Sequence, residues 1–316
     1  MQRAFLFPGQ GSQIVGMGKH IAKSWEIAAQ VFTEADEVLK CDLTKLCFNG
    51  PQTQLTATEY AQPAILTTSV AILRVLQTQG MRPDIVVGHS VGSFAALVAA
   101  ECLSLADALH IVQRRGQLMA AVRQHGSMLA VISANHARLL EVEALAAQHS
   151  ALDVASYNSP HQTVFSGPME DIQQFRAALA VLSGVQARPF AVSHAFHSRL
   201  MGEQKAAWAD ALASYTLAPA RVPVGLNVTG EYTTRPDLIR ADLIEQFTSP
   251  VQWCKLFQYL LDQPVETLLE VGMGRTLTGL ARAWPTKPVV QETESVEALR
   301  RLLQPLQKER IVSSVA

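Results

Sequence analysis

Asp84-Ile85-Val86-Val87-Gly88-His89-Ser90-Val91-Gly92 is the stretch that decides the fold of this chain. Its first half is a short apolar run ending in glycine, which reads as a strand buried on both faces. A helix rich in small residues is expected to follow at once over 90–102, with Ala95, Ala96, Ala99 and Ala100 able to lie close against a sheet. The segment Gly88-His89-Ser90-Val91-Gly92 therefore fits G-x-S-x-G at a strand–turn–helix junction. Alone the pattern is weak, because ordinary Gly and Ser usage gives a chain this long about a one in ten chance of holding it. The strand before it and the helix after it make it a nucleophile elbow. Glycines at 88 and 92 remove side chains that would collide where the turn packs on itself. The helix start places unpaired N–H groups and partial positive charge beside Ser90, suited to an oxyanion forming there. The bland alternative is a serine that only caps a helix.

Outward from this junction, strands alternate with helices, the pattern of a sheet with helices on its faces. Strands are expected at 4–7, 84–88, 222–227 and 267–271. Helices are expected at 62–78, 104–122, 198–213, 236–247, 251–261 and 275–283. Ser104-Leu105-Ala106-Asp107 resembles a capping box, with Asp where Glu or Gln is usual. Between these lies a different order: strand 128–133, helix 137–149, strands 153–157 and 162–166, helix 171–182 and strand 186–192. That βαββαβ order is a small ferredoxin-like unit. The expected architecture is an α/β-hydrolase-like large domain, over 1–126 and 197–316, with the small domain inserted at 127–196. The tail from Pro305 to Ala316 carries little apolar pattern and is expected to fray.

Composition limits the function classes. Lys and Arg number 26 against 27 Asp and Glu, a net charge of −1, which argues against a nucleic-acid backbone as partner. Apolar residues make up 48% and charged residues 17%, the balance of a well-buried enzyme. The apolar runs fall short of the ~18–20 residues of a membrane span. The start at Met-Gln-Arg, reaching Pro8-Gly9 almost at once, reads as no secretory signal. Cys41, Cys47, Cys102 and Cys254 form no CxxC pair, so reduced thiols in the cytoplasm are expected.

A serine hydroxyl needs a base. Of nine histidines, His194 and His197 stand out, because they lie between a strand and a helix in Ser193-His194-Ala195-Phe196-His197-Ser198. A metal reading of the pair finds no third His, Cys or carboxylate nearby and no HExxH. No histidine follows His197, and no Asp stands out between Ser90 and His197 as a triad acid. Either that acid is absent, or a backbone carbonyl or an amide orients the imidazole.

With these residues in place, the chain resembles the malonyl-CoA:acyl-carrier-protein transacylases and the acyltransferase domains of polyketide synthases. Phe7-Pro8-Gly9-Gln10-Gly11-Ser12-Gln13 matches the FPGQGSQ of that family, and Gly88 to Gly92 its GHSxG. Arg115-Gly116 with Met119 matches RGxxM, and Asn158-Ser159-Pro160 with Gln162 matches NSPxQ. Ala195-Phe196-His197-Ser198 matches the AFHS of malonyl-selective members. Pro250-Val251-Gln252-Trp253 and Glu270-Val271-Gly272 complete the order. Two positions depart from the pattern: Ser93 stands where Glu is frequent, and Met273 replaces a proline.

The resemblance implies that Ser90 carries the acyl group as an ester and that His197 is its base, oriented by Gln252. It implies an oxyanion hole from the Gln10 and Val91 N–H groups, and a grip by Arg115 on the free carboxylate of a malonyl group. His89, Phe196, Asn158 and Met119 would shape the pocket. It further implies a monomer that moves malonyl from CoA to an acyl carrier protein, in fatty acid or polyketide synthesis. CoA thioester is a substrate there, and no metal or other cofactor is needed. A guanidinium fork suits a carboxylate. Rival readings are a proofreading acyl hydrolase using the same Ser-His pair, from which Arg115 argues away, and a non-catalytic docking protein. Transfer within a malonate decarboxylase system would share the chemistry and differ only in partner.

Overall fold

A computed structural model describes residues 2–304; the expectation for the tail after Pro305 lies outside them. The large part of the chain opens with β1 (Gln2–Phe7), α1 (Lys19–Ser24), α2 (Glu26–Leu39), α3 (Leu43–Asn49), α4 (Gln52–Thr56) and α5 (Thr58–Thr78). It continues through β2 (Ile85–Gly88), α6 (Gly92–Ala99) and α7 (Leu105–Ala120). A second unit then forms from β3 (Gly126–Ile132), α8 (His136–Gln148), β4 (Asp153–Ser159), β5 (Gln162–Pro168), α9 (Met169–Leu179) and β6 (Gln186–Pro189). A 3-10 turn at Arg199–Gln204 leads to α10 (Lys205–Ala213), β7 (Val224–Gly225), β8 (Tyr232–Thr233) and α11 (Pro236–Glu245). The remaining elements are α12 (Trp253–Asp262), β9 (Val265–Glu270), α13 (Thr276–Ala281) and β10 (Val290–Glu292).

Six strands form the large sheet, in the order β10-β9-β1-β2-β7-β8, parallel except for the β7–β8 edge pair. Alternation along β1 sends Phe5 and Phe7 into one core, among α2, α5, α6 and α7, and Ala4 and Leu6 into the other, with Trp253, Phe257 and Trp284. Both faces are therefore covered, as a parallel sheet requires. The C-terminal ends of β1, β2, β7 and β9 share one rim, where a parallel α/β sheet offers its loops to a ligand.

The second sheet is antiparallel, in the order β4-β5-β3-β6, with the βαββαβ connectivity of a ferredoxin-like unit. Leu129, Val131 and Phe165 face α8 and α9 and close a core with Phe175. Met128, Ala130 and Val164 turn to the opposite face. The small sheet is stitched to the segment before α12 by main chain: the Tyr157 N–H donates to the Val251 carbonyl at 2.9 Å, and the Val251 N–H to Ala155 at 2.9 Å.

Three of the differences from the sequence expectation have a direct physical reason. The helix after the elbow begins at Gly92, because Ser90 adopts φ +53° and cannot be helical. Strand β6 stops at Pro189, which has no N–H to continue the ladder, although the Phe190 N–H still reaches the Met128 carbonyl at 2.9 Å. The helix expected from 198 opens as the 3-10 turn, capped by Ser198 accepting the Leu200 N–H.

Candidate active site

Ser90 sits at the rim between β2 and α6. A Cβ on Gly88 would lie 2.0 Å from the Gly92 carbonyl carbon, and one on Gly92 would lie 2.2 Å from the Phe7 oxygen. Only glycine at both places lets the strand, turn and helix close so tightly. The Val91 N–H and the Gln10 N–H have no hydrogen-bond acceptor among the described residues, and both residues line the cleft that holds Ser90.

The Ser90 Oγ lies 2.8 Å from His197 Nε2. His197 Nδ1 lies 2.8 Å from the backbone carbonyl of Gln246. A carbonyl only accepts, so Nδ1 carries the proton and Nε2 is left as the acceptor for the serine hydroxyl. Burial, and then the charge of Arg115, push His197 down to about 3, so the imidazole is neutral across the physiological range. Like Ser90, His197 is held at a positive φ, +58°.

Arg115 reaches the same point from α7. A Cβ on Gly116 would meet the Glu59 Cα at 2.7 Å, so the glycine lets α7 close on α5 and aims its neighbour inward. Arg115 is 2% exposed. It donates to Gln62 Oε1 at 2.8 Å, to Gln246 Oε1 at 3.1 Å and to Ser90 Oγ at 3.3 Å. No carboxylate forms an ion pair with it among the described residues. Burial lowers it to about 9, still on the charged side at neutral pH. A buried cation held only by neutral amides and a hydroxyl is under-compensated, and an anion in the cleft would complete it.

The cleft has a volume of about 280 Å³. Ser90, His197, Arg115, Gln10, Val91, His89, Phe196, Asn158 and Met119 all line it, so nine of the ten residues expected at the site come together. His89 Nε2 lies 2.9 Å from Asn158 Oδ1, whose amide nitrogen donates to Gln162 at 2.8 Å; burial pushes His89 below its usual value. On the far wall stand Met128, Val164, Phe190 and Val192, carried by or following the small sheet.

Gln252 is the exception, and the expectation that it orients His197 is corrected. It begins α12, its N–H donates to the Asn227 carbonyl at 2.7 Å, and it lines a separate cavity with Tyr157 and Lys255. The imidazole is instead oriented by the Gln246 carbonyl, one of the alternatives the sequence left open. Three site residues escape the sequence reading: Gln62, Asn227 and Gln246. Gln62 alone had a signal, an amide in the otherwise apolar run 62–66. The departure at Ser93 is accommodated in the same network, its Oγ accepting from Gln246 Nε2 at 3.2 Å. Of the exposed arginines, Arg199 is forked onto Asp153, and Arg275 pairs with Glu292 and Glu294. Among the described residues, no group of three or more His, Cys, Asp or Glu could hold a metal.

The acyl transferase domain model matches residues 4–301. The malonyl CoA-acyl carrier protein transacylase of Escherichia coli strain K12 is 40% identical over 284 residues, 89% of this chain and 92% of that protein. The protein of the same description from Bacillus subtilis is 36% identical over 310 residues, 97% of this chain and 98% of its own length. Among solved structures, a chain described as a malonyl-transacylase in complex with its type II PKS acyl-carrier protein superposes with a TM-score of 0.91 at 32% identity. That match covers 96% of this chain and all of the other.

Proposed function

The chain belongs to the acyl transferase domain family, and from that premise we propose that it moves a malonyl group from CoA to the phosphopantetheine thiol of an acyl carrier protein. Arg115 carries this reading: a buried guanidinium without a carboxylate partner among the described residues, 3.3 Å from the Ser90 Oγ. A malonyl carboxylate bound there would leave its thioester carbon beside the serine.

In the first half-reaction, the Ser90 Oγ attacks the thioester carbon as His197 Nε2 takes its proton. The carbonyl oxygen becomes an oxyanion, facing the free N–H groups of Gln10 and Val91. Collapse breaks the C–S bond, and the imidazolium returns the proton to the departing CoA thiolate. In the second half, His197 Nε2 takes the proton of the carrier thiol as its sulfur attacks the serine ester; collapse breaks the C–O bond, and the imidazolium returns the proton to the Ser90 oxygen. The balance closes with no metal or redox partner. The His197–Gln246 contact supports this role of the base, since the carbonyl holds the required tautomer and steadies the imidazolium. Residues 1–126 and 197–316 serve as the catalytic domain and 127–196 as the inserted domain that closes the cleft. The chain acts as a monomer in the cytoplasm, where its four unpaired cysteines stay reduced.

Intact-protein mass spectrometry tests this. After brief mixing with malonyl-CoA, a malonyl adduct on Ser90 should pass to a holo carrier protein added next. An adduct formed equally from neutral acyl-CoAs and decaying to free acid would make the protein a hydrolase instead.

A further inference from the structure

The segment Leu226-Asn227-Val228 follows β7, which pairs with β2 through Val86 and Val224. Asn227 thereby arrives beside the elbow, fully buried. All of its polar groups are used. Its side-chain oxygen accepts the Ser90 N–H at 2.8 Å, and its side-chain nitrogen donates to the Gly88 carbonyl at 2.8 Å. Its backbone N–H donates to Asp242 Oδ2 at 3.0 Å, while the other Asp242 oxygen takes the Val228 N–H at 2.7 Å. One amide thus spans the turn from the strand side to the helix side. Asp lacks the donor for Gly88, and an apolar residue of the same size lacks both groups.

Asp242 stands on α11, and the next turn of chain brings Gln246, whose N–H bonds to the Asp242 carbonyl at 2.7 Å and whose own carbonyl holds His197. The end of α11 therefore fixes the nucleophile through Asn227 and the base directly. Ser90 occupies a left-handed conformation that a side-chain-bearing residue keeps only when its surroundings impose it. Its N–H is also committed to Asn227, so the elbow offers the Val91 N–H, and not its own, to an oxyanion.

We propose that Asn227, anchored by Asp242, is a positioning residue that locks Ser90 in this turn and so sets the Oγ–His197 distance for acylation. The inference rests on the acyl-transfer reading above. Asn227 contacts neither the Oγ nor the acyl group in this account.

The test compares wild type, Asn227→Ala and Asn227→Asp in two reactions on protein shown to be folded by its thermal melt. One is single-turnover acylation by malonyl-CoA, followed by quenched mass spectrometry. The other is phosphonylation of Ser90 by a fluorophosphonate, which needs the elbow and base but no malonyl recognition. Asn227→Ala should lower the maximal acylation rate about 100-fold. Half-saturation should stay within about threefold and the final adduct near one per protein, with phosphonylation slowed in parallel. Asn227→Asp, which keeps the acceptor and loses the donor, should lose about tenfold. Acylation by Asn227→Ala within about twofold of wild type would overturn the proposal. So would a lower adduct endpoint at an unchanged rate, which marks a folding role alone. If the alanine variant does not fold, the isosteric Asn227→Asp decides by the same criteria. Wild type that phosphonylates but never takes malonyl would sink the acyl-transfer reading, while the phosphonylation ratio would still judge Asn227.

Discussion

The two walls of the cleft are built by different rules. On the large-sheet wall, the functional groups are held by backbone geometry together with buried amides: Ser90 by a glycine-flanked turn and Asn227, His197 by the Gln246 carbonyl, Arg115 by a helix pair closed over Gly116 and by Gln62 and Gln246. On the small-sheet wall, Met128 and Val164 contribute side chains from one face of a sheet whose other face packs on its own helices. Changing a residue of the first wall disturbs a buried hydrogen-bond network around Ser90 and Arg115. The second can change any facing side chain while its core behind stays intact. The expectation is that reaction chemistry depends on the first wall and acyl-group shape on the second.

The largest break in this comparison is Ser90→Ala, which should reduce acylation by about ten-thousand-fold or more and leave no adduct by mass spectrometry. Next, Arg115→Ala should cost malonyl transfer about 2–5 kcal/mol, at least roughly thirtyfold, while acetyl transfer holds or rises. Equal losses for both acyl groups would make Arg115 a support of the wall and not a reader of the substrate. On the opposite wall, Val164→Ala should raise transfer of a branched or longer acyl group about tenfold and change malonyl transfer less than about threefold. A large malonyl loss there would erase the distinction between the walls. The smallest effect is a flat line. With His197 down to about 3, kcat/KM should vary little from pH 5 to 8 and fall only as acidification through that value protonates Nε2. Arg115→Ala removes the second cause of that shift, so its acid limb should move upward in pH.

Local sequence carried most of the large-sheet wall. An elbow needs glycine at fixed offsets from its serine at a strand–turn–helix junction, which marked Ser90, whereas Arg115 was marked by the resemblance of Arg115-Gly116 with Met119 to the family's RGxxM. The βαββαβ order was legible because each element of the insert follows its neighbour in sequence. Asn227 and Gln246 were not legible. Their work is done through long-range pairs, Ser90 with Asn227 and His197 with Gln246, and partly through a main-chain carbonyl that any residue could supply. Gln252 was misassigned because the resemblance implied an orienting role at that position, a role that the Gln246 main-chain carbonyl performs here. The helices α1 to α4 left no mark in the reading, being short or, in α2, fixed by burial of Ala28, Val31, Phe32 and Ala35 against the rest of the molecule.

In the large sheet β1 lies between β2 and β9, so Leu6 is bonded beside Val87 on one edge and beside Glu270 on the other. A ribosome delivers these partners far apart in time. The inserted sheet, whose strands all fall between Gly126 and Pro189, can close while the chain is still being made. The central strand of the large sheet must wait with one edge bare until Val265–Glu270 emerges, and an unpaired strand edge is a template for pairing with other chains. The large sheet is thus completed later in synthesis than the inserted one, and its bare edge is the one exposed for longer.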